Sequence, residues 1–164
     1  MNSNGGVMGA WGRGLPNTVM GLAYDSTRQR VLVSNGLAGQ VELYSLSGVL
    51  LGAFTNLHAP RGLALARDGR LYVAEPARSR ISILGSDGQL LGRLEAGLQA
   101  PNDLILGETG SLLVADPDQG LVALDPQGGL VGNQALPLPN GFQGRPLYFG
   151  TLRDQLHITI SIGA

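Results

Sequence analysis

Cysteine is absent from the 164 residues, which removes disulfide frameworks, thiolate metal sites and cysteine nucleophiles together. Charge is scarce: 14% of residues are ionisable as Asp, Glu, Lys or Arg, and the formal net charge is -1. No basic stripe could follow a phosphate backbone, so nucleic acid is not an expected partner. No apolar run reaches the roughly 18 residues that a spanning helix needs. Met1 to Gly6 show no basic stretch ahead of an apolar one, so no signal peptide is read there and a cytoplasmic location is favoured. No segment sustains an apolar period of 3.6, so helices are not expected. Histidine occurs twice, as His58 in a connection and His157 inside a strand-like run, with no partner at metal-ligand spacing.

Glycine and apolar residues are abundant. There are 26 glycines, about twice ordinary usage, and 43% of the chain is hydrophobic. That mixture argues against disorder and for short strands joined by tight turns.

The chain also repeats itself. Met20-Gly21-Leu22-Ala23 aligns with Arg61-Gly62-Leu63-Ala64, Asn102-Asp103-Leu104-Ile105 and Arg145-Pro146-Leu147-Tyr148. A second register holds Val31-Leu32-Val33, Leu71-Tyr72-Val73, Leu112-Leu113-Val114 and Leu156-His157-Ile158. A third holds Val41-Glu42-Leu43, Ile81-Ser82-Ile83 and Leu121-Val122-Ala123. A fourth holds Val49-Leu50-Leu51-Gly52, Gln89-Leu90-Leu91-Gly92 and Gly129-Leu130-Val131-Gly132. Each run is short and bounded by turn residues such as Asp68-Gly69 and Asp87-Gly88, where glycine takes positive φ without steric cost. Four strands in each repeat of about 41 residues make a propeller blade.

The expected fold is therefore all-β, a β-propeller of four-stranded antiparallel blades with about three and a half to four blades present. Residues 1–15 form an N-terminal segment with one outer-strand run at Gly6–Gly12. Blades fall near 16–56, 57–97 and 98–140, with a partial blade at 141–164. Propellers close with four to eight blades. The chain is thus a piece of a larger propeller, a minimal four-blade ring, or an arc that a second copy completes.

Two resemblances follow from these residues. Pro60-Arg61-Gly62-Leu63-Ala64-Leu65, Asp68-Gly69-Arg70-Leu71-Tyr72-Val73-Ala74-Glu75 and Asp87-Gly88 resemble an NHL repeat, a likeness covering about residues 16 to 160. Pro101-Asn102-Asp103, Asp116-Pro117, Asp125-Pro126 and Pro139-Asn140-Gly141 are similar to segments of the gluconolactonase and senescence-marker-protein family. That resemblance implies six-bladed relatives and a divalent metal, often calcium, in the channel. It also implies a lactone-hydrolase activity, with Asn102 and Asn140 as metal ligands. The family's early glutamate has no counterpart here, and its last aspartate ligand would fall beyond Ala164.

Strand alternation places a functional face independently of either family. Loops entering the first strand of a blade and leaving the second lie at the same end. Arg61, Asn102 and Arg145 sit at entering positions, and Asn35, Glu75 and Asp116 at leaving positions. Together they are expected to gather around one mouth of the channel, where concave polar sites bind ligands. The competing reading is that Asn and Asp at strand ends cap turns through backbone N–H groups. Three functions follow: a binding module for a protein, peptide or small sugar-like ligand at this face, a calcium-dependent lactonase, and a self-assembling scaffold.

Overall fold

A computed structural model describes residues 19–107, 109–134, 144–152 and 155–162, with side chains placed as far as Gly132 apart from residue 108. The strands follow the repeat. The first blade is β1 (Val19–Asp25), β2 (Arg30–Asn35), β3 (Gln40–Ser45) and β4 (Leu50–Phe54). The second is β5 (Leu63–Leu65), β6 (Leu71–Glu75), β7 (Arg80–Leu84) and β8 (Leu90–Leu94). The third is β9 (Asp103–Leu106), β10 (Leu112–Asp116), β11 (Gly120–Leu124) and β12 (Leu130–Gln134). Each is an antiparallel four-stranded sheet in chain order. A long hairpin of β13 (Gly144–Leu152) and β14 (Gln155–Ile162) follows. The strand expected at Gly6–Gly12 lies outside the described residues.

Successive blades face one another, and the cores lie between them. One layer joins Leu32, Val41, Leu43 and Phe54 of the first blade to Leu63, Leu71, Val73 and Leu84 of the second. The next joins Tyr72, Ala74 and Ile81 to Leu104, Leu112, Val114, Val122 and Leu124 of the third. Strand β6 shows the logic: Leu71 and Val73 point to one layer, Tyr72 and Ala74 to the other, because side chains alternate along a strand. Being covered on both faces, β6 is buried at all five positions, and Leu71 to Ala74 read as a continuous apolar run ahead of Glu75.

The first strands of the blades are neighbours, β1 beside β5, β5 beside β9 and β9 beside β13. Glycine makes this possible. A Cβ on Gly21 would lie 2.3 Å from the carbonyl oxygen of Arg61, and one on Gly62 would lie 2.6 Å from the Cα of Asp103. The Gly62 amide instead donates to the Asn102 carbonyl at 3.0 Å, tying one inner strand to the next.

The outer strands carry a feature the repeat did not announce. In β4, β8 and β12 the pairing register shifts at the same place, leaving Leu51, Leu91 and Val131 as bulged residues. Such bulges twist an edge away from further pairing. They also turn neighbouring apolar residues outward: Leu50 and Leu51, Leu90 and Leu91, and Leu130 and Val131 are all exposed.

Candidate functional site

The recurrent polar residues at the ends of β2, β6 and β10 do share one end of the blades, but they turn inward. Asn35, Glu75 and Asp116 are 4%, 0% and 0% exposed. A buried carboxylate persists only where charge and hydrogen bonds compensate it.

For Glu75 the compensation comes from side chains and one amide. The His58 amide donates to Oε1 at 2.6 Å, and Arg80 Nε donates to Oε2 at 3.0 Å. Arg80 Nη2 reaches Oε1 at 3.3 Å, and the Ser82 hydroxyl donates to Oε2. Burial pushes the carboxyl pKa up, but the Arg80, Ser82 and His58 bonds outweigh it and hold Glu75 below the ordinary carboxylate value. For Asp116 backbone amides take this part: Gln99 and Ala100 donate to Oδ2 at 2.7 and 3.0 Å, Asp118 and Gln119 to Oδ1 at 3.0 and 3.2 Å. In the first blade the acid has moved. Asn35 occupies the strand end, accepts from the Ala38 amide at 3.0 Å and donates to Glu42 at 2.8 Å. Gln40 and the Tyr44 hydroxyl complete the shell of Glu42 at 2.9 and 2.6 Å. Burial raises the Glu42 pKa, yet the bonds from Tyr44, Gln40 and Asn35 bring it below normal. Tyr44 is pushed up to about 12 by burial and by Glu42.

These groups clamp the connections between blades. His58 and Gln99, whose amides bind Glu75 and Asp116, lie in the segments entering the second and third blades. The preceding blade holds the same segments from the other side. The Leu57 amide donates to the Gly39 carbonyl at 3.0 Å, and the Ser79 hydroxyl donates to the Gln99 carbonyl at 2.6 Å. The inward turn of Asn35, Glu75 and Asp116 therefore matches the turn-capping reading, and their acceptor atoms are engaged by the chain's own donors.

The entering positions behave differently. Arg61 is half-buried, and its Nη1 donates to Oδ1 of the buried Asn102. Arg145 lies in β13, paired with Ser161. The sequence reading missed His58 as a member of this face. Its ring Nδ1 lies 3.6 Å from Glu75 Oε1 and its Nε2 lies 3.0 Å from Arg78 Nη2. A guanidinium only donates, so Nε2 accepts and the ring proton rests on Nδ1, toward the carboxylate. Seventeen residues separate His58 from Glu75, which hid the contact from any spacing rule.

The implied calcium site does not fit the described residues. Calcium takes six to eight oxygens, mostly anionic. Asn102 Oδ1 accepts from Arg61, whose positive charge opposes a cation at the same atom. Asn140 lies outside the described residues. Among those described, no group of three His, Cys, Asp or Glu side chains could hold a metal.

Comparison with known proteins defines the class. No family model matches the chain, and no curated protein does. Solved structures match at the level of fold. Virginiamycin B lyase from Staphylococcus aureus aligns with a TM-score of 0.71 at 20% identity, over 90% of this chain and 51% of that one. Hydrazine synthase from Kuenenia stuttgartiensis aligns at 0.66 and 14% identity, over 80% of this chain and 38% of that one. The WD40 β-propeller domain of Doa1 aligns at 0.66 and 14% identity, over 83% and 45%. The chain is a β-propeller, spanning about half or less of the length of these relatives. The likeness is one of fold, and no family model supports the NHL or gluconolactonase resemblance.

Proposed function

We propose that the chain is a binding module whose Arg61–Asn102–Arg145 face takes a protein, peptide or small sugar-like ligand. One observation carries this reading. The acidic groups of the face, Glu75 and Asp116, are buried and saturated, while the exposed Arg78 and the half-buried Arg61 nearby carry guanidinium donors. Glu75 holds His58 by its amide and faces its ring, and the ring accepts from Arg78. Donors over a rigid base suit a ligand rich in acceptor oxygens, such as peptide carbonyls or sugar hydroxyls.

Immobilised peptide and oligosaccharide panels test the reading directly. A captured ligand should bind the Arg61→Ala/His58→Ala variant at least tenfold more weakly, and Arg93→Ala unchanged. Equal binding to all three proteins, or capture from neither panel, argues against the reading. A lactone hydrolase has less support, because Asn102 is held by Arg61. Self-assembly has one observation of its own, the exposed apolar pairs on the outer strands. A molar mass constant across a sedimentation series would exclude it.

A further inference from the structure

The opposite ends of the blades carry a different chemistry. Here lie the turns after β1, β5 and β9, and clefts open between them. One, of about 290 Å³, lies between the first and second blades. The other, of about 430 Å³, lies between the second and third. They share one wall, Leu65, Ala66, Arg67 and Asp68.

The charges around the first cleft do not balance. Asp25 accepts from the Arg28 amide and from Arg30 Nε, both at 3.0 Å, and lies 3.4 Å from Arg28 Nη1. Asp68 accepts from its own turn, from the amide and Nε of Arg70 at 3.0 and 2.7 Å. Both carboxylates are therefore turn caps matched by Arg30 and Arg70. Arg28 keeps one long contact and a 41% exposed side chain. Arg67 is exposed and has no hydrogen bond or ion pair among the described residues. Both of these cations line the cleft. Arg28 Nη1 lies 3.6 Å from the point where a Cβ on Gly69 would stand, so it reaches across to the turn that carries Arg67. Arg30 crosses the same boundary, its Nη2 donating to the Ser86 carbonyl at 3.2 Å, which fixes the two blades relative to each other at the cleft. The rest of the wall combines the hydroxyls of Ser26 and Thr27 with an apolar and aromatic side made by Leu65, Ala66 and the half-exposed Tyr24.

We propose that this cleft binds a small organic carboxylate with an apolar or aromatic body, its carboxylate held by Arg67 and Arg28 and its body against Tyr24 and Leu65. A guanidinium fork matches a carboxylate in two parallel bonds, and a second cation fixes its direction. This site lies at the end of the blades opposite the Arg61 face, so either assignment can fail alone.

The test is a titration of the full chain, labelled with nitrogen-15, followed through the arginine Nε–H signals. All eleven basic side chains are arginines, so each can be observed. The probes are benzoate, inorganic phosphate and neutral benzyl alcohol. Benzoate should shift the Arg67 signal saturably, and more tightly than phosphate or benzyl alcohol. Arg67→Gln should weaken benzoate about fivefold or more, and Arg93→Gln should not. Arg67 lies on an exposed turn, and an unchanged melting temperature confirms the fold of the variant. Saturation by phosphate alone, equal response to benzyl alcohol, or equal benzoate affinity in wild type and Arg67→Gln would each overturn the proposal.

Discussion

Glu75 and Asp116 occupy the same place in consecutive blades, 41 residues apart, and are held there by different means. Glu75 reaches a cation and a hydroxyl on the neighbouring strand. The strand register puts Gly120 and Val122 in the third blade where the second has Arg80 and Ser82, and there Asp116 turns to backbone amides. The shorter aspartate brings its carboxylate close to its own turn; the longer glutamate extends toward the next strand. The first blade offers a third solution, with the acid at Glu42 and an amide at Asn35. The blades thus share a buried negative charge at this end of the sheet, while its supporting residues vary.

The largest effect should come from Glu75→Ala. It leaves Arg80, with a side chain 15% exposed, without its counter-charge, and such an uncompensated cation costs about 3–5 kcal/mol. Asp116→Ala removes an acceptor from amides in partly hydrated segments, so about 1–3 kcal/mol is expected. Urea unfolding of both variants measures the difference. Equal losses would mean that the two carboxylates do the same work despite their different partners.

A transplant sharpens the comparison. Glu75→Asp with Arg80→Leu and Ser82→Ala gives the second blade the aspartate of the third and, as there, no polar side-chain partner for it on the neighbouring strand. No buried cation is then orphaned, so the triple variant should lose about 1–2 kcal/mol, less than Glu75→Ala alone. A triple variant as unstable as Glu75→Ala would show that the Asp116 arrangement depends on the third blade's own backbone.

The propeller was legible in the sequence because its blades are local. Within a blade each strand pairs with the next in the chain, and turn residues mark the reversals. What lay hidden required contacts between segments. The pairing of His58 with Glu75, the approach of Arg28 to the turn of Arg67, and the inward turn of Asp116 each depend on how neighbouring segments pack. A polar residue at a strand end reads the same whether it faces a ligand or caps a turn. The outer bulges were hidden for another reason: Leu-Leu-Gly is compatible with a regular strand, and only the register reveals that Leu51, Leu91 and Val131 are extra residues.

The comparison also has a pH signature. The folded-state pKa of Glu75 lies below its unfolded value. Its contribution is therefore present above the unfolded carboxylate range, near pH 4.3, and is lost as pH falls through the lower folded value. Glu42, Asp25 and Asp68 are shifted the same way and contribute to a common acid loss. Subtracting the triple variant from the wild type removes that common part. Urea midpoints from pH 7 to pH 3 should show the wild type losing more than the triple variant, and parallel curves would remove the charged partners of Glu75 as the cause.

The smallest effect concerns the turn that follows each of these residues. Four positions beyond Asn35, Glu75 and Asp116 stand Gly39, Ser79 and Gly120, with φ of 64°, 51° and 86°. The second blade alone puts a side chain in this left-handed conformation, which costs a non-glycine residue about 1–2 kcal/mol. Ser79 offsets that strain through its hydroxyl, which binds the Gln99 carbonyl in the connecting segment, a bond worth about 1 kcal/mol. Glycine at this position relieves the strain and loses the bond, while adding freedom to the unfolded chain. Ser79→Gly should therefore leave stability within about 0.5 kcal/mol of wild type, and Ser79→Ala, which keeps the strain and loses the bond, should cost about 1 kcal/mol. If the alanine variant is as stable as the wild type, the hydroxyl contributes nothing to the clamp, and the segment at Gln99 is held through Asp116 instead.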